Sequence, residues 1–159
     1  MTDPLITYLH DHLTGSTFAL GLLETWHREH SGGLGKFAQQ MHAEIEPDQL
    51  ELRQLIERLG EPSNPIKEAV GWFAEKASRL KFNSVDDAGL EIFEGLEMLT
   101  LGILGKHALW EVLRVLAVSD ARLAYLDFPR LSARAKAQHA QVEAHRIGLA
   151  PSVFARRGQ

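Results

Sequence analysis

The sequence contains no cysteine. Disulfides and thiolate metal sites are therefore excluded, and a reducing cytoplasmic setting is expected. Long apolar runs are also missing. The most apolar stretch, Met98 to Leu104, is bounded by Glu97 and Lys106, far short of the ~20 residues that span a bilayer. No membrane partner is expected. The opening segment, Met1 to Leu13, lacks both a basic start and a continuous apolar run, so it does not read as a signal peptide. Nor is there an excess of positive charge. The formal net charge is -4, and the Arg156-Arg157 pair is too short to reverse it; no nucleic-acid partner is expected. A P-loop, a dinucleotide fingerprint and a Ser/His/Asp set are all missing, and whether the chain is an enzyme stays open.

What is present is helical periodicity. The 159 residues, 45% apolar and 24% charged, suit one domain over 1–159. Long helices are predicted over about 4–30, 34–59, 85–118 and 120–147, with a shorter crossover helix over about 65–81. Asp3-Pro4 opens the first, Ser31-Gly32-Gly33 separates it from the second, and Gly60 stops the second. Pro47 should bend the second helix, and Pro129 should kink the fourth before Gly148 and Pro151 end it. The crossover stripe is Ile66, Ala69, Val70, Phe73, Ala77 and Leu80. Two short connections make two antiparallel hairpins, and the long one makes the second and third helices parallel. The expected fold class is all-α, a four-helix bundle with a helical crossover.

The third long helix is apolar on two sides. Leu90, Phe93, Leu101, Leu104, Ala108, Val112 and Val115 form one stripe, taken as the inner one; Ile92, Leu99, Ile103, Trp110 and Leu113 form the other. Cover on both sides is implied, by the crossover helix or by a second subunit, and a homodimer is the expected assembly. Polar residues interrupt the inward faces. Ser16 and, at the edge, His12 do so on the first helix; Asp48 and Glu44 on the second; Glu97 and Glu111 on the third; Asp127, Gln138 and His145, flanked by Arg134, on the fourth. Counting from the turns sets Ser16 opposite Asp48, Glu97 opposite Gln141 and Thr100 opposite Gln138. Glu44, Asp48, Glu97, Arg134 and Gln138 then converge near mid-bundle, with Glu111 and Asp127 at a second polar level.

Buried carboxylates require a partner. One reading is a metal site built from Glu44, Asp48, Glu97 and His12. The other is a structural network in which Arg134 neutralises Glu97 and Glu44 while Gln138 and Ser16 complete the hydrogen bonds. An arginine at the centre repels a cation, so the network is favoured and no cofactor is predicted, with iron or manganese as the alternative.

Hairpin, long crossover and hairpin, with Glu44 and Glu97 facing inward, resemble the ferritin-like superfamily over Leu5 to Ile147. The resemblance implies a di-iron or di-manganese site with a glutamate from each of two helices and Glu-x-x-His from each of the other two. Here Ser16 or Leu20 stands where the first helix would supply glutamate, Pro47 follows Glu44 where histidine is expected, and Glu143 is followed by Arg146. The one Glu-x-x-His, Glu24 to His27, sits near the end of the first helix. The function expected first is thus a ferritin-like bundle without the di-iron site, acting in binding or assembly. The alternatives are a variant carboxylate metal protein or oxidoreductase, and a small-molecule binder with a pocket among Trp26, Phe37, Trp110 and Phe128.

Overall fold

The computed structural model describes residues 3–63 and 88–155. The expected crossover helix lies outside the described residues, as does the expected start of the third helix. Four long α-helices are present: α1 Pro4–Glu29, α2 Gly33–Arg58, α3 Ala88–Leu116 and α4 Phe128–Val153. Among the described residues there is no strand, and they form an all-α bundle of four long helices.

Local chemistry sets the ends. The Asp3 carboxylate accepts from the Leu5 amide and Pro4 occupies the first turn, where its missing N–H costs nothing. Past α2, Gly60 adopts φ 87°, a left-handed conformation that glycine enters without steric penalty. The fourth helix departs from expectation. Residues after α3 form a turn and a short 3-10 segment, Ala121–Leu123, capped by Asp120. The long helix begins only at Phe128, so Pro129 lies in its first turn and kinks nothing. Asp127 does not face the core; its carboxylate accepts from the Arg130 amide as the N-cap. Gly148 and Pro151 do not end α4, which runs to Val153. A proline near a helix end removes the bond to one carbonyl only, here that of the exposed Ile147.

The core divides into two apolar clusters. One joins Leu9 and Leu13 of α1, Leu55 of α2, Leu109 and Leu113 of α3 and Leu131 of α4. The other joins Leu23 and Trp26, Met41 and Ile45, Leu96 and Ile103, and Val142. Early residues of α2 and α3 thus share one end of the bundle and late residues share the other, so these two helices are parallel, while each consecutive pair is antiparallel. No described helix is long and apolar enough to cross a membrane.

The choice of inner stripe on α3 is reversed past Phe93, which is buried as expected. Leu99, Ile103, Trp110 and Leu113 are buried, whereas Leu101, Leu104, Val112 and Val115 are 61%, 47%, 42% and 61% exposed. Both stripes are equally apolar, so periodicity alone does not choose between them.

Candidate functional site

Between the two apolar clusters lies a polar level centred on Asp48, whose side chain is 1% exposed. Lys106 Nζ donates to Asp48 Oδ2 at 2.7 Å and also to Gln138 Oε1. Gln138 Nε2 donates to the same Asp48 oxygen at 3.1 Å and to the Glu44 carbonyl at 2.9 Å. The Arg134 guanidinium lies 3.2 Å from Asp48 Oδ1 as an ion pair, without the alignment of a hydrogen bond, and donates to the Glu44 carbonyl at 2.9 Å. Pro47 lies inside α2 and takes the helical donor from the Ala43 carbonyl; the neighbouring Glu44 carbonyl is the one that accepts from Arg134 and Gln138.

Three helices therefore hold one carboxylate between two cations. Such a group is costly to bury and stays buried because Oδ2 is hydrogen-bonded twice and Oδ1 is ion-paired. Lys106 feels both sides. Burial lowers its pKa below 10.5, against the raising effect of Asp48 and with a further lowering by Arg134.

The residues expected to converge are only partly brought together. Asp48, Arg134 and Gln138 meet. Glu44 contributes its backbone carbonyl, while its carboxylate accepts from Gln40 and Gln141 at the bundle edge. Glu97 is 55% exposed and pairs with Arg146 at 3.2 Å. Ser16 accepts from Gln49 at 3.0 Å rather than joining Asp48. Glu111 does not meet Asp127; it accepts from Ser132 at 2.8 Å and pairs with Arg114. His145 stacks on Phe37 with centroids 4.1 Å apart. Glu24 and His27 are both exposed.

The cause is a shift in register between α3 and α4. Glu97 bonds Arg146 instead of facing Gln141, and Thr100 reaches Glu143 instead of Gln138. The turn and 3-10 segment take up chain that sequence reasoning assigned to α4, so each partner sits further along that helix. Lys106 thereby faces Gln138. Sequence reasoning missed Lys106 by treating it as the boundary of an apolar run. Its spacing from Leu99, Ile103 and Trp110 on the buried stripe was the available signal.

A di-metal centre does not fit this level. The position where carboxylates would bridge two cations holds an ammonium and a guanidinium instead. Among the described residues no group of three or more His, Cys, Asp or Glu side chains is placed to hold a metal ion.

Beside the polar level, α1, α2 and α3 line a half-open cavity of about 640 Å³, within the ~300–1,000 Å³ of small-molecule sites. Leu22, Ile45, Leu52 and Leu99 supply apolar wall, Gly15 on α1 and Gly102 and Gly105 on α3 leave room, and Asp48, Lys106 and Trp110 also line it. His12 lines it too, stacked edge-on against Tyr8 at 4.6 Å; burial lowers its pKa, against the opposing pull of Asp11. Of the aromatic residues expected around a pocket, Trp110 lines this cavity; Trp26 and Phe128 belong to the apolar clusters and Phe37 to the His145 stack. Comparison with protein-family models, curated proteins and solved structures yields no match to this chain.

Proposed function

We propose that this chain is a ferritin-like bundle without a di-metal centre that binds a small, largely apolar molecule in the cavity between α1, α2 and α3. The observation that carries the reading is the cavity itself, about 640 Å³ of mostly apolar wall with a few polar groups gathered at Asp48 and Lys106. Apolar walls supply affinity through burial and a few fixed polar groups supply orientation, the usual division in small-molecule sites. Helix order and the parallel α2 and α3 support the ferritin-like assignment, and the ion-paired Asp48 supports a site without metal.

The test uses a neutral apolar dye, N-phenyl-1-naphthylamine, with the wild-type chain and Gly102→Leu. Gly102 lines the cavity and an added Cβ meets nothing within 4 Å, so the leucine fills space without breaking the helix packing. Dye fluorescence should rise with wild type and rise much less with Gly102→Leu. Equal signals from both, or none from wild type, would overturn the reading.

A second reading, assembly, rests on the outer stripe of α3. Leu101, Leu104, Val112 and Val115 expose large apolar side chains at helical spacing. Two copies packed through α3 would cover the outer stripe, the inner one being buried in the bundle already. Mass in solution tests it: a dimer should dissociate in Leu104→Lys with Val112→Asp, and a wild-type monomer at high concentration would count against it.

A further inference from the structure

The cavity also carries a preference in charge, and this inference rests on the small-molecule reading above. Asp48 is one carboxylate facing two cations, Lys106 and Arg134. Glu44, which also acts on Lys106, directs its carboxylate to Gln40 and Gln141. Asp11, the other carboxylate among the lining residues, is exposed. An ammonium has three N–H bonds. Those of Lys106 reach Asp48 and Gln138, and no described residue takes the third.

One helical turn along α3, Trp110 is 1% exposed and its unpartnered indole Nε1–H is sealed behind the cavity wall. Lys106, on the same side of α3, lines the cavity with an N–H to spare.

We infer that the ligand is a medium- or long-chain carboxylate, its head group accepting from Lys106 Nζ and its alkyl chain lying along the apolar wall. A carboxylate takes the remaining N–H of Lys106 as a charge-assisted hydrogen bond, about twice as strong as one to a neutral head group.

The experiment is displacement of N-phenyl-1-naphthylamine by dodecanoate and by dodecanol, both below micelle-forming concentrations. Dodecanoate should displace the dye at least about tenfold more effectively, a modest expectation for one charge-assisted hydrogen bond in a partly buried site. The advantage should collapse in Lys106→Met, in which Asp48 keeps Arg134 as partner. If dodecanol competes as well as dodecanoate against wild type, the carboxylate assignment is overturned while the cavity reading stands. If neither competes and the dye binds Gly102→Leu as well as wild type, both fall. The wild-type comparison stands even if a variant does not fold.

Discussion

Lys106 Nζ lies 2.7 Å from Asp48 Oδ2, joining α3 to α2 across the middle of the bundle at a carboxylate that is 1% exposed. Removing the carboxylate leaves two cations without their shared buried partner, whereas removing the lysine leaves Asp48 with Arg134. Asp48→Ala should lower unfolding free energy by ~3–5 kcal/mol, the range for breaking a buried pair at one partner. Lys106→Met should cost distinctly less. Urea unfolding of the two variants checks the order; a larger loss for Lys106→Met would show that Arg134 does not hold Asp48.

The pH dependence follows from the lowered pKa of Lys106. Its folded value lies below the unfolded value of 10.5, so between the two the unfolded chain binds the extra proton. Stability from this group therefore rises with pH across that window, and the burial penalty is fully present below it. The groups acting on Lys106 are Asp48, Arg134 and Glu44. In the difference between wild type and Lys106→Met, other titrations largely cancel. Wild type should gain on the variant as pH climbs toward 10.5; a gap that is flat or moves the other way would contradict the assigned direction.

Close approach of α1 and α3 depends on a missing side chain. An ideal Cβ on Gly95 would stand 2.6 Å from Trp26 Cζ2, so the indole occupies the space that glycine leaves. Gly95→Ala should destabilise by ~1–3 kcal/mol, the range for overpacking a core. Gly21 on the same pair of helices is exposed, and its Cβ would meet nothing within 4 Å. Gly21→Ala should stabilise by ~0.5–1 kcal/mol through helix propensity alone. Thermal unfolding of both variants separates the effects by sign.

The four long helices, both hairpins and the parallel α2 and α3 were legible because turns and loop lengths announce themselves. Gly32, Gly60 and Asp3 mark ends by local chemistry that tertiary packing does not override. Asp48, Arg134 and Gln138 were legible as inward polar residues on otherwise apolar stripes. The start of α4 was not, since Ser119-Asp120 reads as a cap in its own right and does cap the 3-10 segment. That one misplacement carried Glu97 and Glu111 to wrong partners and hid Lys106. The buried stripe of α3 was also illegible. Its two apolar sides differ only in what packs against them, and packing is a property of the whole bundle.

The central claim is that Asp48 is held by this chain's own cations and leaves no place for a di-metal centre. Elemental analysis of protein freshly purified from iron- and manganese-supplemented growth tests it most directly. The account predicts no transition metal near stoichiometric amounts in wild type, and no difference between wild type, Glu44→Ala and Glu97→Ala. Stoichiometric iron or manganese that disappears in Asp48→Asn would contradict it.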